Sequence, residues 1–139
     1  MFNRGQAVQT MKKFIFTTGT RATDVWVGAG GAMLLKSKYL RTMTSDLDVG
    51  VDAREYNRLK SHPLCLGEQP IHGMPGEFLL SFPDEVDVHK EDRRFLKLES
   101  YCGILHWSMG DVLKLKLRLN RPKDIGDIAK LKSPKGNWL

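Results

Sequence analysis

The sequence predicts one mixed α/β domain, of the α+β kind, with a short mixed β-sheet flanked by helices. Three observations predict it. Helical periodicity opens and closes the chain, over about 4–18 and 111–132. Between them, short apolar runs with period-2 alternation recur, most clearly at 47–51. The length, 139 residues with 41% apolar and 27% charged residues, suits one soluble domain with its own core. That core spans about residues 24–132, followed by a basic tail at 133–139.

The elements follow in order. Ala7, Val8, Met11, Phe14 and Ile15 share one face at helical spacing, and Thr18-Gly19-Thr20 ends that helix. Asp24 to Val27 reads as a short strand cut off by Gly28. Gly30 and Gly31 lead into a helix over 32–39, and residues 42–45 form a polar loop. Leu47, Val49 and Val51 alternate with Asp46, Asp48 and Gly50, the pattern of a half-buried strand. Asp52 caps a helix over 53–60, and the proline- and glycine-rich stretch 61–76 reads as a loop. Strands are expected at 77–82, 85–89 and 103–107.

Residues 111–119, DVLKLKLRL, alternate like a strand, yet Leu, Lys and Arg are helix formers and nothing after Val112 is β-branched. On a wheel of about 100° per residue the apolar side chains share one arc, with Lys116 near its centre. The expectation is a helix with Asp111 as N-cap and Lys116 turned inward, where a buried ammonium needs an anion. Asn120-Arg121-Pro122 breaks it, and Asp124 starts a last helix to about Lys132.

Composition excludes several classes of function. No stretch approaches the ~18 apolar residues of a membrane span, and the start has no apolar signal-peptide core, so a cytoplasmic protein is expected. Cys65 and Cys102 have no CxxC partner, and His62, His72, His89 and His106 lack zinc-site spacing, so these six residues read as packing or surface. The net charge of +6 is concentrated: residues 111–139 hold eight Lys+Arg against three Asp+Glu. Such a segment suits a polyanionic partner, a nucleotide or a nucleic acid.

Three features carry chemistry. Gly28-Ala29-Gly30-Gly31 lies at a strand-to-helix turn, where backbone N–H groups can hold phosphate without a Cβ in the way. Asp46 and Asp48 head a strand, and residues i and i+2 of a strand project to the same face. Two carboxylates so placed repel unless a cation sits between them, and an oxygen-only set suits Mg²⁺. Asp87, between Val86 and Val88, is a candidate third carboxylate for a two-metal site. Thr44 and Ser45 add hydroxyl donors beside the acid pair.

GAGGAMLL followed by TSDLDVGV resembles the signature of the nucleotidyltransferase (DNA polymerase β-like) superfamily. The closest resemblance is to small bacterial members grouped with the AbiEii toxin, where a helix reads roughly D-L-x-x-x-K-L-x-x-x-R-x-K-D-x-x-D. Here Asp111-Val112, Lys116-Leu117, Arg121-Pro122-Lys123-Asp124 and Asp127 fill that pattern. The resemblance implies that Gly30 and Gly31 contact nucleotide phosphates, and that Asp46 and Asp48 hold two Mg²⁺ ions. Asp87 would bind the catalytic ion and help deprotonate the acceptor hydroxyl. Lys116 would meet the triphosphate with Arg121 or Lys123, and Asp124 would order those basic groups. Two departures stand out: Ala32 replaces a common hydroxyl residue, and the basic residue before the acids, Arg41, lies one position further out than expected.

The implied activity moves a nucleoside monophosphate from an NTP, ATP among the candidates, to an acceptor hydroxyl and releases pyrophosphate. Toxin-type members point to RNA or tRNA as acceptor and to a defence-related role; an aminoglycoside-type small molecule is the alternative. So short a chain leaves little room for an acceptor domain, so a dimer mate or another protein is expected to complete that site. A different class, a non-catalytic nucleic-acid or partner-binding module, would use the basic segment for backbone contact. A dinucleotide-binding turn fails because Met33 stands where the fingerprint needs a small residue, and a P-loop fails for want of GK[ST].

Overall fold

A computed structural model describes residues 1–139. Five helices run over Arg4–Thr18 (α1), Ala29–Lys36 (α2), Ala53–Lys60 (α3), Met109–Leu119 (α4) and Ile125–Lys132 (α5). Seven strands run over Trp26–Val27 (β1), Leu47–Val51 (β2), Gly67–Pro70 (β3), Phe78–Phe82 (β4), Val86–Lys90 (β5), Leu98–Tyr101 (β6) and Ile104–Trp107 (β7). They form one sheet in the order β3-β4-β5-β2-β1-β7-β6. The pairs β2/β5 and β1/β7 are parallel and the other four are antiparallel, so the sheet is mixed and flanked by helices, as expected. No helix is long and apolar enough to cross a membrane.

The period-2 pattern of β2 sorts its side chains. Leu47, Val49 and Val51 are buried with Val86 and Val88 of β5 against Val8, Met11 and Phe14 of α1 and Leu59 of α3. A second apolar cluster, with Trp26, Met33, Trp107, Met109, Val112 and Leu131, ties α2, α4 and α5 to the opposite face at β1 and β7. That opposite face of β2 and β5 carries Asp48 and Asp87.

Several boundaries differ from expectation. Helix α2 starts at Ala29 and ends at Lys36, where the chain turns so that Leu40 can enter the second cluster. The stretch 61–76 is not all loop: β3 pairs antiparallel with β4 as the sheet edge. Its four residues are exposed, and Pro70, which has no N–H to donate, is tolerated at an edge. β6 joins β7 through Cys102-Gly103, both with positive φ (51° and 78°), a two-residue hairpin turn without the usual Asn-Gly signal. Helix α4 is capped by Ser108, not Asp111: the Ser108 side chain accepts from the Asp111 N–H. The Asp111 carboxylate instead accepts from Lys97 N–H at 2.8 Å.

Residues 109–119 are helical and Lys116 is turned inward, only 5% exposed. The chain itself supplies its anions. The Lys116 ammonium lies 3.3 Å from Asp124 and 3.0 Å from Asp127. Arg121 donates to Asp124 from its backbone N–H, Nε and Nη2 at 3.1, 2.8 and 3.1 Å, and Arg41 pairs with Asp127. The Arg121 hydrogen bonds hold the Asp124 carboxyl down at about 2 against the opposing effect of burial, with Lys116 helping.

Removing one partner of a buried ion pair leaves an uncompensated charge. Asp124→Ala is therefore expected to cost about 3 kcal/mol, read as a lower urea midpoint. Because the folded pKa is depressed, this contribution is complete above the ordinary carboxylate range of about 4. It fades as pH falls toward about 2, so the wild-type midpoint should drop over that window more than that of Asp124→Ala.

Candidate functional site

Parallel pairing of β2 with β5 sets Asp48 directly beside Asp87 in register. Asp46 stands two residues before Asp48 and completes the group. One carboxylate oxygen from each of the three lies within 4.8 Å of the others. Burial, then the charges of Asp48 and Asp46, push Asp87 up to about 6, and His89 only partly offsets them. Asp46 is raised for the same reasons, burial first and Asp48 second, against a lowering hydrogen bond from Ser45. Three acids are thus held where ionising all of them is unfavourable, and a cation would relieve that.

His89, two residues after Asp87 in β5, is the residue that the sequence reading missed. Its Nε2 lies 2.9 Å from Asp48 Oδ1. Burial favours the neutral ring, but the hydrogen bond and charge of Asp48, with Glu91 and Asp87, hold its pKa above the ordinary value. Glu91 follows on the same face. It accepts from the Trp26 indole at 2.6 Å and the Trp107 indole at 3.2 Å. Burial raises its carboxyl, against the two indole bonds. A Cβ at Gly50 would collide with the Glu91 carboxylate and the Trp26 indole, so this strand position has room only for glycine. The signal was present: Asp87, His89 and Glu91 alternate in VDVHKE.

These groups line a cleft of about 720 Å³. Asp46, Asp48, Asp87 and His89 face it, and Arg118, Arg121 and Lys123 also line it. The glycine turn reaches it through Gly28 and Ala29. The Gly28 N–H donates to Asp48 C=O at 2.8 Å, tying the turn to the acid strand. Ala29 enters α2 with φ 49°, a left-handed conformation that strains any residue with a Cβ.

The other sequence candidates lie beneath or beside the cleft. At Gly31 a Cβ would sit 2.6 Å from Val27 Cγ1, and at Gly30 one would strike the Arg41 guanidinium; both glycines allow close packing of α2. Thr44 is buried, exchanges backbone hydrogen bonds with Phe2, and donates its hydroxyl to Asp46 C=O at 3.2 Å. Ser45 Oγ lies 3.4 Å from Asp46 Oδ1. Lys116 and Asp124 are buried in their ion-pair network, behind Arg121.

The chain matches no protein-family model, and no curated protein matches it. A solved structure, JHP933 from Helicobacter pylori, is similar, with a TM-score of 0.51 and 16% identity. The similarity covers 91% of this chain and 66% of that one, so this chain spans just under two thirds of that protein's length. At that identity the likeness concerns the fold.

The carboxylate coupling has a direct readout in the metal-free protein. Asp48→Asn should lower the Asp87 pKa from about 6 without returning it fully to the ordinary range, because burial is the larger cause. Carbon NMR titration of the side-chain carboxyls checks this; an unmoved Asp87 would show that the two acids do not face each other.

Proposed function

We propose that the chain is a Mg²⁺-dependent nucleotidyltransferase. The observation that carries this is the convergence of Asp46, Asp48 and Asp87 at the head of two parallel strands, in a cleft with a basic wall. The donor set fits the metal: three carboxylates offer oxygen ligands only, and their mutual repulsion favours a hard divalent cation. Asp46 and Asp48 would hold both ions and Asp87 the catalytic one. Bound Mg²⁺ would neutralise the phosphate charge and align the acceptor with the α-phosphorus.

The chain's own groups supply the rest. Arg118, Arg121 and Lys123 present positive charge along the cleft, suited to the triphosphate and to the departing pyrophosphate. Asp124 keeps Arg121 in place through three hydrogen bonds. Lys116 supports this wall from below, paired with Asp124 and Asp127. The Gly28 N–H is engaged by Asp48 C=O, so at this turn it is the N–H groups of the first turn of α2, from Ala29 on, that would be offered to phosphate oxygens. The acceptor oxygen bonds to the α-phosphorus, the bond to pyrophosphate breaks, and an Asp87 carboxylate oxygen takes the hydroxyl proton. RNA as the acceptor rests on the sequence resemblance: beyond the acid cluster the cleft is lined by Glu68, Glu77, Glu91 and Asp92 as well as by Lys90, Arg118, Arg121 and Lys123, a mixed wall that also suits a polycationic small molecule. A toxin-like role rests on the sequence resemblance alone.

Label transfer from α-labelled NTPs to total RNA, with Mg²⁺, tests the reading. Asp46→Asn and Asp87→Asn should each lose at least about 100-fold in rate, the scale of several kcal/mol of lost metal stabilisation. Labelling that survives both substitutions would sink the assignment. A raised carboxylate pKa means that the ionised group opposes folding above that pKa, so Asp87→Asn should melt at or above the wild-type temperature at pH 7.5. A lower melting temperature would mean that Asp87 supports the fold instead.

A further inference from the structure

Three carboxylates that repel one another do not stay convergent on their own account. Asp46 is steadied by the Ser45 hydroxyl at 3.4 Å. Asp48, 37% exposed at its side chain, has one side-chain partner, His89. The two residues are not directly opposite: Asp48 faces Asp87 in the register, and His89 faces Gly50. From that position the imidazole leans diagonally across to β2 and brings Nε2 to Asp48 Oδ1 at 2.9 Å. The ring is itself packed, with 21% of its side chain exposed. A ring N–H at Oδ1 fixes rotation of the carboxylate and leaves Oδ2 free.

We infer that His89 is a positioning residue that holds the Asp48 carboxylate in its metal-binding orientation through the Nε2–H···Oδ1 hydrogen bond. The inference rests on the metal-dependent reading of the same site. His89 supplies no ligand atom to the acid cluster; it acts through Asp48, as a hydrogen-bond partner outside a metal's ligands commonly does. Without it, repulsion from Asp46 and Asp87 turns Asp48 outward, and the cluster loses one of its three oxygens. What the position requires is an N–H at the place of Nε2, not an imidazole.

The test is Mn²⁺ binding to the full chain by calorimetry and electron paramagnetic resonance, without nucleotide. His89→Leu should weaken Mn²⁺ binding by about 10–100-fold. His89→Gln, which keeps an N–H donor at similar reach, should bind within about threefold of wild type. Circular dichroism melting of each variant reports the fold, and His89→Ala serves as a second donor-free variant should the leucine not fold. Wild-type affinity in the donor-free variant, or a glutamine variant as weak as leucine, would overturn the inference. The outcomes separate from those for the activity. Wild-type protein that binds Mn²⁺ with this variant pattern yet transfers no label would end the nucleotidyltransferase reading and leave His89 its role. Unchanged binding in His89→Leu, with wild-type transfer intact, would do the reverse.

Discussion

The parallel pairing of β2 with β5 is the constraint on which the site depends. It sets Asp48 beside Asp87, and it buries Leu47, Val49, Val86 and Val88 on the other face. A slip of one residue would exchange the two faces, burying the acids and exposing the valines. The same pattern therefore builds the core and delivers the carboxylates. The backbone bond from Gly28 to Asp48 and the Phe2–Thr44 bridge then fix the glycine turn and the approach to Asp46.

Charge is handled at two levels. In the cleft, burial and then the like charges set together raise the pKa values of Asp46 and Asp87. Beneath its basic wall, opposite charges are closed against one another: Lys116 and Asp124 are buried, Asp127 is half-buried, and Arg121 and Arg41 complete the set. The closed network places a guanidinium at the cleft and joins α4, α5 and the loop after α2. The open cluster is where a cation could be held.

Much of this was legible in the sequence. The alternation in β2, the Asp52 cap and the inward Lys116 follow from spacing and side-chain chemistry, and the structure has each of them. The acid cluster was legible because strand residues two apart share a face. What escaped depends on partners distant in sequence. β3 is an exposed edge whose pairing with β4, not its composition, makes it a strand. Nothing local identifies Asp124 and Asp127 as the anions of Lys116; the Ser108 cap, by contrast, is signalled locally by Ser108-x-x-Asp111 ahead of an apolar run. That a Cβ at Gly30 would meet Arg41, and one at Gly31 Val27 and Leu47, is set by the tertiary packing of α2. His89 was visible as a strand neighbour of Asp87, but its bond to Asp48 requires the β2/β5 register.

On the proposed reading, Asp46, Asp48 and Asp87 together hold divalent cations that engage a nucleotide's phosphates. Anomalous diffraction from crystals grown with Mn²⁺ and a non-hydrolysable NTP analogue tests it most directly. Manganese peaks are expected between the three carboxylates, bridged to the analogue's phosphates, with Arg121 or Lys123 on the triphosphate. Manganese absent from the acid cluster while the analogue binds elsewhere in the protein would contradict it.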